Sequence, residues 1–257
     1  MAEAADSRCD KTLTVHLDLH APSAYLDNHG QVIGMDALLT QQILTQAGCQ
    51  VRWHLTPMTG ARILRSLQQG KFDVMIRASK TAERQQYAYF SKPYRHEIVA
   101  LFSRKHLKLP ATLSMTDAFN QGLHLIGPAS GWYGSEFEVL RTKWQQNELY
   151  TAYPDAARAT ELLFATPSRG DLLLVDADIF FRHLGKEQHD EVSLVGNNVL
   201  INPALLMFNQ QSIEQTDLNA INQAILQLRQ TGKLADIENN YRPRSLQKLL
   251  LSTDLNL

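Results

Sequence analysis

The feature that most constrains the fold is an alternation that starts near the N-terminus. An apolar, β-branched run, TLTVHLDL (12–19), is followed by GMDALLTQQILTQAG (34–48), where Met35, Leu38, Leu39 and Ile43 recur near helical spacing and Gly48 ends the run. QVRWHL (50–55) predicts a second strand, TGARILRSLQQG (59–70) a short helix, and FDVMI (72–76) a third strand. Strand, helix, strand, helix, strand in that order predicts an α/β fold with mainly parallel strands. A second alternation follows the apolar strand EIVALFS (97–103): LHLIG (123–127), a helix over about 134–146, ELYTAY (148–153), DAARATELLFA (155–165), DLLLV (171–175), DADIFFRHLG (176–185) and EVSLV (191–195). NPALLMF (202–208) predicts a further strand, and 212–232 and 233–241 predict two closing helices. The chain therefore holds two α/β units of roughly 100 residues each, the first closed by helices from the far end of the chain. The first lobe takes 1–102 and 203–257, the second 103–202, and such an arrangement leaves a cleft, a common home for a ligand.

Composition narrows the function. The 257 residues carry 44% hydrophobic and 20% charged side chains with a formal net charge of −1, which fits an ordinary globular protein and speaks against a dedicated nucleic-acid binder. One stretch runs the other way. RASKTAERQQYAYFSKPYR (77–95) places Arg77, Lys80, Arg84, Lys92 and Arg95 against the single acid Glu83, among Tyr87, Tyr89, Phe90 and Tyr94. No matching basic stripe occurs elsewhere, so nucleic acid is the weakest reading. No apolar run reaches the roughly 18 residues of a membrane span. The N-terminus lacks the basic-then-apolar pattern of a secretory signal, so a cytosolic chain and a mature exported chain both remain open. Cys9 and Cys49 are too far apart for a CxxC motif, but each immediately precedes a predicted strand. If those strands are parallel neighbours, the sulfurs meet at one end, and a disulfide is favoured over two separate thiols; it would point to an oxidising compartment. There is no HExxH, GxSxG, phosphate-binding loop or metal cluster, and no cofactor is implied.

Several stretches together resemble the bacterial extracellular solute-binding proteins of family three, the polar amino-acid receptors of ABC importers. APSAYLDNHGQVIGMDALLTQQILTQAG (21–48) is similar to the family's opening segment, LRSLQQGKFDVMI (64–76) to its helix-to-strand step, and SKTAERQQYAYFSKPY (79–94) to its T-x-x-R…F-S-x-P-Y segment. SRGDLLLVDADIF (168–180) and LRQTGKLADIENNY (228–241) are similar to its second-lobe step and closing helices. The resemblance implies a type II periplasmic-binding-protein-like fold, two α/β lobes joined by two crossover strands that close on a ligand by a hinge. It further implies a periplasmic monomer, with its signal peptide removed, that hands a small-molecule solute to a membrane permease and neither inserts into the membrane nor binds nucleic acid.

Carried residue by residue, the resemblance gives Arg84 the ligand's α-carboxylate, for which a planar fork of permanent charge is suited. Ser79 is either a second contact to that carboxylate, beside the N-terminus of a following helix, or a turn cap; Thr81 is a cap. Asp176 either takes the ligand's ammonium or caps the helix that begins there, with Asp178 as the fallback. In the first loop Ser23 stands where relatives carry an aromatic, leaving His20 or Tyr25 to supply a wall. In the second lobe GPASGWYGSE (127–136) departs from the usual hydroxyl-rich stretch, with Ser130 a hydroxyl donor and Trp132 or Tyr133 a cover. Arg77 stands where relatives mostly carry a small residue. It implies either an additional anionic group on the ligand or a pair with an acid such as Asp73. Lys80, Lys92 and Arg95 read as solvated. Two other functions share the resemblance: a cyclohexadienyl dehydratase-like enzyme, for which no convincing acid–base pair is evident, and a sensing module for a signalling partner.

Overall fold

The computed structural model describes residues 8–110, 112–244 and 246–247, and for 196–201 the backbone alone. In chain order its elements are β1 (Thr12–His16), β2 (Tyr25–Leu26), β3 (Val32–Ile33), α1 (Met35–Gln46), β4 (Gln50–His54), α2 (Gly60–Gln68), β5 (Val74–Ala78), β6 (Ala88–Phe90) and β7 (Arg95–Arg104). There follow α3 (Met115–Asn120), β8 (Leu125–Pro128), α4 (Ser135–Gln146), β9 (Tyr150–Tyr153), α5 (Ala156–Leu163), β10 (Leu172–Asp176), α6 (Ala177–His183) and α7 (Lys186–Glu191). The chain closes with β11 (Val192–Asn209), α8 (Gln215–Gln230) and α9 (Lys233–Tyr241). Mixed α/β architecture is thus present throughout. EVSLV and NPALLMF, expected as two strands around Gly196-Asn197-Asn198, belong to the single strand β11. The β2–β3 hairpin, β6, α3 and α7 have no counterpart in the sequence reading; two- and three-residue strands and six-residue helices are too short to establish a period.

Two compact units result, one of residues 1–96 and 203–241, the other of 97–202 and 242–257. These breaks differ from the expected ones, which fall after 102 and 202 and keep the whole C-terminus with the first lobe. Leu246 is buried in a core of the second unit, and Arg242 is ion-paired there to Asp178, so the chain changes units once more after α9.

In the first unit β4, β1 and β5 run parallel in that order, and β11 joins β5 antiparallel with β6 on its other side. Alternation along β1 sorts the faces. Leu13, Val15 and Leu17 enter a core shared with α1, α8 and α9, whereas His16 stacks on Phe72, which packs with Ile63 and Leu67 of α2. Cys9 and Cys49 form a disulfide just before the parallel strands β1 and β4, as the flanking sequences anticipate. In the chain-entropy account, closing a loop of 40 residues contributes about 4 kcal/mol.

In the second unit β9, β8 and β10 are parallel, and β7 borders β10 antiparallel. The unbroken run LLLV of β10 is buried on both faces: Leu173 and Val175 meet α5 and α6, while Leu172 and Leu174 meet α3 and α4. No described helix is long and apolar enough to cross a membrane.

Candidate functional site

Ligands of open α/β sheets bind beyond the carboxyl ends of parallel strands, and the sequence-predicted residues fall there in both units. In the first unit β1 and β5 are parallel neighbours. The segment after β1 carries His20, Ser23 and Tyr25; the end of β5 carries Arg77, and the segment after it Ser79 and Arg84. In the second unit β8 and β10 are parallel neighbours; the loop after β8 carries Ser130 and Trp132, and β10 ends on Asp176.

Arg84 and Ser79 are brought together. Arg84 opens a 3₁₀ turn, Arg84–Gln86, whose N-cap position is Glu83, and the Arg84 backbone N–H donates to Thr81 Oγ1 at 3.3 Å. Its Nη1 donates back to the carbonyl oxygen of Ser79 at 2.9 Å. That bond uses one of the five N–H donors of the half-buried guanidinium; no other Arg84 side-chain bond occurs among the described residues. One expectation fails here. No α-helix follows Ser79, only this short turn five residues on, so no helix N-terminus stands beside it.

The first loop is held by a buried carboxylate that the sequence reading did not single out. Asp36, in the first turn of α1, accepts from Ser23 Oγ (2.7 Å), Tyr94 Oη (2.6 Å), Arg95 Nε (2.7 Å) and Arg95 Nη2 (2.9 Å). Burial pushes its pKa up, but the Arg95 charge and hydrogen bonds, the nearby charge of Arg77 and the Tyr94 hydroxyl outweigh it and hold the group at about 2, against an ordinary 3.8. Arg95 is 2% exposed, which corrects its reading as a solvated cation: a guanidinium enters the core when it is paired and hydrogen-bonded to a buried carboxylate. The N–H groups of Met35, Asp36 and Ala37, orphaned at the start of α1, donate to the carbonyls of Pro22 and Ser23. Gly34 permits this approach. Its φ is 123°, and a Cβ there would stand 2.6 Å from Ser23 O. Ser23 therefore has a structural position, while His20 is exposed and Tyr25 is half-buried and hydrogen-bonded to Tyr241.

Arg77 lies close enough to Asp36 and Tyr94 for its charge to act on both. Its φ is 53°, a left-handed backbone inside a strand. Asp73, the acid named as its alternative partner, is engaged elsewhere, accepting from Thr14 N (2.7 Å) and Ser212 Oγ (2.6 Å).

In the second unit Asp176 caps α6, its Oδ1 accepting from Ile179 N at 3.2 Å, and it is 8% exposed. Asp178, the fallback, is buried and forked onto Arg242 Nε (2.8 Å) and Nη2 (3.0 Å), a structural pair. The loop after β8 is braced from α4. Arg141 donates from both terminal nitrogens to Gly131 O at 3.2 Å and pairs with Glu138 at 3.1 Å, and Glu138 in turn accepts the Tyr133 N–H at 3.0 Å. The Arg141 guanidinium also lies 4.9 Å from the Phe137 ring centroid. Ser130 and Trp132 stand exposed on this braced loop, and Tyr133 is half-buried. At the loop's root Tyr150 Oη donates to Pro128 O at 2.8 Å and fills the space over Gly127 that any side chain would need. Burial, offset in part by Arg141, pushes the Tyr150 phenol well up, so it stays a donor.

Asp36, Arg95, Arg141 and Glu138 are the organising residues that sequence reasoning missed. The one available signal was the acid of G-M-D at the start of α1, opposite a basic residue directly after the S-K-P-Y run.

The family model for Bacterial extracellular solute-binding proteins, family 3, matches residues 13–244. Solved structures of similar fold include a histidine kinase sensor domain with similarity to periplasmic binding proteins, at 20% identity and a TM-score of 0.68, covering 90% of this chain and 98% of that one. An ancestral arginine-binding protein bound to arginine is similar at 21% identity and a TM-score of 0.66, covering 90% and 97%. The L-cystine solute receptor of Neisseria gonorrhoeae, in an unliganded open conformation, is similar at 20% identity and 0.63, covering 92% and 94%. No curated protein matches the chain by sequence.

Proposed function

From its membership of the bacterial extracellular solute-binding proteins, family 3, to which this chain belongs, we propose that it captures a small charged solute, an amino acid or related carboxylate, and delivers it from the periplasm to an ABC permease as a monomer, without chemistry of its own. The observation that carries this reading is Arg84: a half-buried guanidinium steadied through one N–H by Ser79 O, with its other donors uncommitted among the described residues. A carboxylate needs two parallel donors in one plane, which is what such a fork offers. Ser79 and Arg77 join Arg84 from the first unit, with His20 and Tyr25 as the wall. In the second unit the candidate contacts are Asp176, Ser130 and Trp132. Asp176 receives an ammonium while keeping its cap bond, since each carboxylate oxygen accepts more than once.

Thermal-shift screening with arginine, cystine, glutamine, glutamate and simple dicarboxylates tests the proposal. A binding solute raises the melting temperature by mass action, and Arg84→Ala is expected to abolish the shift while leaving the unliganded melting temperature unchanged. An undiminished calorimetric affinity in Arg84→Ala would remove Arg84 from the site. A sensing role is the second reading, favoured by the likeness to a kinase sensor domain. A dehydratase-like enzyme would need an acid–base pair, and in the second unit Asp176 is a helix cap and Glu136 an exposed residue of α4.

A further inference from the structure

The carboxyl ends of β1 and β4 carry a pair of histidines that the candidate site does not use. The strands run parallel with His16 in register with His54, so both imidazoles leave the sheet on the same face. Their Nδ1 atoms lie 3.1 Å apart. Phe72 packs against both rings, with its centroid 4.9 Å from His16 and 5.6 Å from His54. His16 is 2% exposed, whereas His54 is half-buried and gives the pair its access to water. The far nitrogen of His16, Nε2, is buried without a hydrogen-bond partner among the described residues, and Asp18 Oδ1 stands 3.3 Å from it.

Two neutral imidazoles hold such an approach only by sharing a proton, one Nδ1 donating and the other accepting. A cation replaces that proton with two lone pairs directed at one point. A separation of 3.1 Å matches the edge between two imidazole nitrogens that each bind one ion at about 2.0–2.1 Å. Ligation through Nδ1 leaves Nε2 as the N–H, and a metal-bound histidine ordinarily donates that proton to a carboxylate, which fixes its tautomer. At His16 the Asp18 carboxylate stands within ion-pair distance of Nε2, 3.3 Å away.

We propose that His16 and His54 form a two-imidazole chelate for a late first-row divalent cation of the zinc, copper or nickel type, with Asp18 orienting the buried ring. Imidazole nitrogen selects these ions over magnesium and calcium, which prefer oxygen. Among the described residues no group of three His, Cys, Asp or Glu side chains converges. Water therefore completes the coordination, and the site is an exchangeable one. The ligands stand 38 residues apart on separate strands and make no sequence motif; strand register brings them together.

Zinc chloride titrated into the full chain, followed through the histidine ring nitrogens by long-range proton–nitrogen NMR, tests this. The expected result is that His16 and His54 both become the Nε2–H tautomer with shifted Nδ1 resonances at one equivalent. His54→Gln lowers zinc affinity at least tenfold, and Asp18→Asn lowers it by about tenfold. His106→Gln, at an exposed position in the second unit, leaves it unchanged. Zinc that leaves both rings unshifted, or that binds His54→Gln and Asp18→Asn as tightly as the parent chain, overturns the proposal.

Discussion

Each unit buries an aspartate against an arginine fork, and the two pairs are nearly congruent in their bonds: 2.7 and 2.9 Å for Asp36–Arg95, 2.8 and 3.0 Å for Asp178–Arg242. They differ in their surroundings. The side chains of the first pair are 0% and 1% exposed, and its carboxylate takes two further hydroxyl donors, from Ser23 and Tyr94. In the second pair Arg242 is 9% exposed, and Asp178 accepts from Arg242 alone among the described residues. The first pair thus joins the first loop, helix α1 and the opening of β7, all in the unit that carries Arg84. The second fastens a C-terminal segment to α6. Similar bond lengths do not make similar roles; the number of separate chain segments meeting at the carboxylate does.

Breaking each pair from the arginine side sharpens the contrast. Arg95→Ala, which strands a buried carboxylate, is expected to destabilise the chain by about 3–5 kcal/mol in urea unfolding. Arg242→Ala, which removes a partner that is 9% exposed from a carboxylate that takes no hydroxyl donors among the described residues, is expected to cost less, about 1–3 kcal/mol. Equal losses would dissolve the distinction.

Acid probes the first pair. The pKa of Asp36 is about 2 folded and 3.8 by default, so its ionised form stabilises the fold fully above pH 3.8. That contribution is lost as pH falls through 2, and it amounts to about 2 kcal/mol. The urea midpoint measured at pH 5 and at pH 2 should therefore fall further in the parent chain than in Asp36→Asn. Parallel decreases would show that other carboxylates govern the acid response.

The smallest effect concerns the second unit's braced loop. Arg141→Lys keeps the charge and loses the fork onto Gly131 O. Its stability change should stay within about 1 kcal/mol, while acrylamide quenching of Trp132 emission increases. Unchanged quenching would mean that the loop holds its shape without the brace.

Long apolar runs carried most of the fold into view from sequence. DLLLV announces a strand buried on both faces, KLADIENNY coincides with α9, and the cysteines before TLTVHLDL and QVRWHL sit where parallel strands bring them together. The site was less legible because charge in a sequence does not reveal its counterpart. Arg95 looked like one more cation in a basic stretch until Asp36, remote in sequence, was placed against it. Asp178 looked available until Arg242 was seen to occupy it. Arg84 and Asp176 came into view through the family resemblance, and the structure supplies what each touches: Ser79 O for one, Ile179 N for the other.

The left-handed backbone at Arg77 has a consequence for what substitution can improve. An L-residue at φ 53° pays a steric penalty of about 1–2 kcal/mol that glycine escapes. Arg77→Gly should therefore relax the end of β5 at the moment it deletes the guanidinium. A chain selected for thermal robustness alone would drift toward glycine at this position; whether the arginine persists under selection for solute capture would separate a residue kept for its charge from one that is not.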